Sequence, residues 1–142
     1  MKKIIGGLFL VLILTICALP VFANTSSWNF TMDLEKLDGE KNKVYHSMNS
    51  GDLIISGDVW TYSTDHGPAK NPVAVRIWIY QSVKGIDRNV GSVMVTPTNK
   101  LNQKIHFEKL FRKQQSGKYY FYIFKLKNDC WNVKGAGTLK TK

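Results

Sequence analysis

The chain has 142 residues, a formal net charge of +10, 44% apolar and 12% aromatic side chains, and two cysteines. That is the length of one domain with enough apolar material for a core, which excludes a disordered, collagenous or disulfide-scaffolded protein. The surplus of 20 Lys and Arg over 10 Asp and Glu points to anionic partners without choosing among nucleic acid, membrane and cell-wall polymer.

At the start, Lys2 and Lys3 precede a nearly unbroken apolar run over residues 4–16, Pro20 follows, and Val21-Phe22-Ala23 ends the segment. This is the layout of a secretory signal peptide of bacterial type, with cleavage expected after Ala23. The apolar run is shorter than the ~20 residues a spanning helix needs, which weighs against an uncleaved anchor. Cys17 sits in a poor lipoprotein box, because Thr15 and Ile16 are not the small residues that precede a lipidated cysteine. The expected mature domain, residues 24–142, keeps 18 basic and 10 acidic side chains and a single thiol, Cys130. Cys130 reads either as a small buried hydrophobe beside Trp131 or as a thiol for intermolecular pairing.

The rest of the chain reads as strands. Trp28, Phe30, Met32 and Leu34 alternate with polar residues, giving one apolar face at period two. Asp38-Gly39 turns the chain into a short strand over 43–48, and a turn at 49–52 leads into a strand over 53–61, with Gly57 as a bulge or a point of close approach. Residues 65–72, with Gly67, Pro68 and Pro72, form a loop that no helix crosses. Strands follow over 73–81, 92–96, 104–110, 118–126 and 131–139, separated by turn-forming residues. About eight short strands and no segment of helical period predict an all-β fold: a single antiparallel β-sandwich of about seven to eight strands.

Gly117-Lys118-Tyr119-Tyr120-Phe121, followed by the glycine-bearing segment Val133-Lys134-Gly135-Ala136-Gly137-Thr138-Leu139, resembles immunoglobulin-like sandwiches over residues 53–140. The resemblance implies that Tyr119 is a buried corner tyrosine capping backbone, and that the strands over 73–81 and 118–126 are neighbours in one sheet. Phe121 stands where antibody domains carry a cysteine, and the fold by itself implies no activity.

Motifs that carry chemistry are absent. His46, His66 and His106 fall on separate elements without metal-ligand spacing. Asp65-His66 reads as a solvated loop pair, and Asp33, Glu35, Asp38 and Glu40 lack calcium-loop spacing. No catalytic residue, metal or cofactor is expected.

Charge and aromatic patterning say more. Residues 24–99 sum to −1 and residues 100–142 to +9. The expected basic face consists of Lys109, Arg112, Lys113, Lys118, Lys125, Lys127 and Lys134. If Val75, Ile77 and Ile79 point inward, Arg76, Trp78 and Tyr80 point outward; if Tyr119, Phe121 and Ile123 point inward, Tyr120, Tyr122 and Phe124 point outward. These six form an expected aromatic face, open to a partner or covered by another segment. The function expected is that of a secreted, non-enzymatic binding protein acting on an anionic cell-surface polymer, a membrane surface or a protein partner. The alternative is a secreted cationic antimicrobial or toxin-like effector. Secretion disfavours nucleic acid, and a homodimer would form through the aromatic face or Cys130.

Overall fold

The computed structural model describes residues 23–33, 36–65 and 70–142. Except for Ala23, the expected leader lies outside these residues, as do Cys17 and His66. The described residues contain no helix and form nine strands: β1 (Thr25–Met32), β2 (Lys36–Asp38), β3 (His46–Met48), β4 (Gly51–Thr64), β5 (Val75–Ser82), β6 (Arg88–Val95), β7 (Ile105–Gln114), β8 (Gly117–Lys125) and β9 (Trp131–Thr141). The alternation seen in the sequence sets their faces, with Trp28, Phe30 and Met32 of β1 and Val75, Ile77 and Ile79 of β5 all buried.

Two antiparallel sheets result. One has the order β1-β9-β4-β7; the other runs β2-β8-β5-β6, with β3 also paired to β8. Six of the eight connections between these strands cross from one sheet to the other, β2–β3 and β5–β6 being the exceptions, and β1 lies beside β9. This is the order of a double-sheet jelly roll, two Greek keys closed on each other. One pairing implied by the immunoglobulin resemblance is present, since β5 and β8 are neighbours. The overall topology differs. In an immunoglobulin sandwich the last two strands are neighbours in one sheet, whereas here β9 crosses to the other sheet and lies between β1 and β4.

Glycines make that position available. Gly137 pairs with Trp28 on one side and Gly57 on the other, and Gly135 pairs with Phe30. A Cβ built on Gly57 would lie 2.5 Å from the Trp28 ring, and one on Gly135 would strike the Phe30 ring. The rings of β1 therefore lie over strands that carry no side chain beneath them, and Gly57 marks a close approach rather than a bulge.

Candidate functional site

On the outer side of the five-stranded sheet, β5 and β8 set Arg76 opposite Phe124, Trp78 opposite Tyr122, and Tyr80 opposite Tyr120. Their alternates, Ile77, Ile79, Tyr119, Phe121 and Ile123, fill the core, so the orientation expected from the sequence holds. The rings run together as a surface. Trp78 and Tyr80 are 6.3 Å apart, Tyr80 and Tyr120 stack at 5.5 Å, and Tyr122 and Phe124 are 5.7 Å apart. Arg76, Trp78, Tyr80, Tyr122 and Phe124 are each half-buried, as neighbours on a pleated face are. Tyr120 differs. It is 6% exposed, Tyr45 from the β2–β3 connection lies edge-on to it at 6.0 Å, and its hydroxyl donates to Asp87 Oδ2 at 2.8 Å. Burial first, then the Asp87 carboxylate, holds that hydroxyl well above the usual tyrosine range. Tyr120 is a support for the face rather than a contact surface.

Charge is distributed unevenly along the face. Lys36, Phe124, Arg76 and Met94 form one cross-strand row, with Met94 56% exposed. The Arg76 guanidinium lies 6.0 Å from the Trp78 ring centroid. Its Nε is buried without a hydrogen-bond partner, and neither ion pair found among the described residues involves it. Toward the other end stand Asp38, beside Tyr122, and Asp87. Asp38 Oδ1 accepts from the Glu40 and Lys41 backbone N–H groups at 3.0 and 3.2 Å.

The basic residues do not form the single face expected from their clustering in sequence. β7 and β9 belong to one sheet and β8 to the other, so neighbouring segments of the chain are dealt to opposite layers. Arg112, Lys113 and Lys118 are exposed around the β7–β8 turn, and Lys127 is exposed in the β8–β9 connection at the opposite end of β8. Lys109 Nζ donates to the Ser92 carbonyl at 2.8 Å, bridging the edges of β7 and β6. Lys134 Nζ lies 4.3 Å from the Tyr62 ring centroid, and Lys104 Nζ 5.1 Å from that of Trp60. Trp60 and Tyr62, outward residues of β4, make a small aromatic–basic patch on the four-stranded sheet that the sequence reading overlooked. The signal was present in the alternation of Val59, Trp60, Thr61 and Tyr62.

Lys125 is not a surface cation at all. It is 7% exposed, its Nζ lies 2.8 Å from Asp129 Oδ1 and donates to the Trp131 carbonyl at 2.7 Å. Asp129 in turn accepts from the Trp131 and Val73 backbone N–H groups at 3.0 and 2.7 Å. The pair locks the β8–β9 connection against the approach to β5. It is withdrawn from the expected basic face.

A groove of about 410 Å³ opens where the edge strand β1 faces β2 and the β2–β3 turn, floored by Trp28, Phe30, Leu37, Phe121 and Ile123. One end is clasped by Ser26 Oγ and His46 Nδ1 at 2.8 Å. Burial against Phe121, 4.9 Å between ring centroids, lowers the His46 pKa. His106 lies elsewhere, on the outer face of the four-stranded sheet, with its Nδ1 2.8 Å from Asp58 Oδ1. Asp65 accepts from Asn132 Nδ2 at 2.7 Å. No group of three or more potential metal ligands occurs among the described residues. Cys130 is a half-buried free thiol with φ +63.

No protein-family model matches the chain, and no curated protein does. Among solved structures the chain is similar to the crystal structure of the Yersinia pseudotuberculosis-derived mitogen, at 12% identity and a TM-score of 0.37, over 82% of this chain and 86% of that one. The reading of the site therefore rests on its own residues.

Proposed function

We propose that this chain is a secreted, non-enzymatic binding protein that engages an anionic cell-surface polymer through the outer face of the β8–β5 pair. The observation that carries this reading is the half-buried row of Trp78, Tyr122 and Phe124 with Arg76 lying against it, a guanidinium that donates to Met94 Sδ and takes part in no ion pair among the described residues. Clustered aromatic area on a surface favours association, and Trp, Tyr and Arg are the side chains that dominate binding energetics. Flat rings pack on the apolar faces of sugar or polyol units. The Arg76 fork donates to the two oxygens of a carboxylate or phosphate. Lys36 adds a second cation across Phe124.

Co-sedimentation with isolated cell walls, with and without their anionic polymer, tests this. Binding that needs the polymer, weakens steeply between about 0.05 and about 0.5 M salt, and falls with Trp78→Ala or Arg76→Gln in variants that still fold is the expected result. Binding unaffected by both substitutions would remove the face from the account. Concentration-dependent dimerisation abolished by Trp78→Ala would assign the face to self-association instead, and a dimer abolished by Cys130→Ser would assign it to the thiol.

A further inference from the structure

The β5–β6 connection, residues 83–87, shares one end of the sandwich with the β7–β8 turn. Ser82, the last residue of β5, pairs with Lys118 near the start of β8. Arg88, which opens β6, donates from its guanidinium to Gln114 Oε1 at the end of β7, at 3.0 Å. Within the connection the Val83 N–H donates to Asp87 Oδ1 at 3.0 Å, and Gly85 takes φ +103, a conformation open to glycine at little cost. Ile86 beside it is 91% exposed, the most exposed large apolar side chain among the described residues, and Val83 is 40% exposed.

Cations surround this tip. Lys84 is in the loop, Arg112 and Lys113 end β7, Lys118 begins β8, and Lys142 is tied to Asp52 by reciprocal backbone hydrogen bonds of 2.9 and 3.0 Å. All five are exposed. The carboxylates at this end are engaged by the protein. Asp52 Oδ1 accepts from the Lys113 N–H at 2.9 Å, and Asp87 serves Val83 and Tyr120.

A hydrated polyanion would match the cations but give Ile86 nothing to contact. An anionic bilayer matches both, because headgroup phosphates meet the collar while the aliphatic tip enters the interfacial layer. We infer that this end of the sandwich docks on an anionic phospholipid surface, with Ile86 and Val83 dipping below the headgroups and Lys84, Arg112, Lys113 and Lys118 holding them there. With so small an apolar tip, attachment is shallow, reversible and dependent on surface charge. The residues of the aromatic face take no part.

The test is co-sedimentation of the intact protein with vesicles of phosphatidylcholine alone and of phosphatidylcholine mixed with phosphatidylglycerol. Binding is expected only to the mixed vesicles. Ile86→Ser should weaken it about tenfold, the equivalent of burying much of one aliphatic side chain, and Arg112→Gln or Lys113→Gln about fivefold each. Trp78→Ala should leave it unchanged. An Ile86→Trp variant should shift its emission to the blue with mixed vesicles alone. Absence of binding at low salt overturns the inference, as does binding that Ile86→Ser leaves intact. Vesicle binding lost in Trp78→Ala transfers the contact to the sheet face and overturns it too, without touching the polymer reading.

Discussion

Trp28 and Phe107 meet across two strands to which neither belongs. Their ring centroids are 5.9 Å apart, and the register that joins them runs from Trp28 through Gly137 and Gly57 to Phe107. The two glycines leave the inner face of the four-stranded sheet bare where the edge-strand rings lie over it. A Cβ on Gly137 would collide with the Ser56 carbonyl and stand 2.7 Å from the Trp28 ring. Gly137→Ala is expected to cost about 1–3 kcal/mol through overpacking, read as a lower denaturant midpoint at unchanged slope. Gly85→Ala has open space around its Cβ and is expected to cost less, through its positive φ alone.

Tyr119 is fully buried, and its hydroxyl donates to the Gln115 carbonyl, pinning the β7–β8 turn. Gln81 Nε2 holds the same turn by donating to the Ser116 carbonyl at 3.1 Å. Tyr119→Phe should cost about 1 kcal/mol and Tyr119→Ala about 3–5 kcal/mol in chemical melts. Equal costs would mean that the ring packs little and the hydroxyl carries the effect.

The Lys125–Asp129 pair predicts a stability effect where a surface cation would give none. Lys125→Met leaves a buried carboxylate without its counter-charge, which is worth about 3–5 kcal/mol. Lys127→Met, two residues along and exposed, should fall within about 0.5 kcal/mol of the parent. Denaturant midpoints of the two variants compare them directly.

His46 gives the fold a pH dependence. Burial lowers its pKa below the ordinary 6.5, so the unfolded chain takes up its proton first. The stability contributed by the neutral ring is complete above pH 6.5 and is lost as pH falls from there through the lower folded value. Melting temperatures of the parent and of His46→Gln, taken at intervals from about pH 7.5 down to about pH 5, should diverge in slope below the ordinary histidine range. The parent should show the steeper decline. Parallel curves would show that the imidazole charges in place without penalty.

Strand character and the outward aromatic rings were legible because period two fixes which side chains share a face. The same rule, applied consistently, places Lys125 with Tyr119, Phe121 and Ile123 on the inner face of β8. Expecting charge to be solvated hid this, although Asp129 four residues later supplied the counter-charge. The strand order was not legible. Where β9 inserts depends on two distant partners, β4 and, more than a hundred residues away, β1, and Gly135 and Gly137 gain their meaning only once Trp28 and Phe30 are set against them. The run of basic residues misled for a related reason: a continuous stretch of chain becomes a continuous patch only when consecutive strands stay in one sheet.

The pairing of first strand with last governs when this protein can begin to fold. The Thr141 N–H donates to the Asn24 carbonyl at 3.0 Å, and the ladder continues to Met32 opposite Val133. During synthesis from the N-terminus, Trp28 and Phe30 have no strand to pair with until β9 has emerged. Contacts of such long sequence separation form late and slowly. The order of synthesis therefore runs against the order in which these contacts close. Removing the eleven residues of β9 would leave β1 without its strand partner as well, so one truncation strips two strands from the four-stranded sheet.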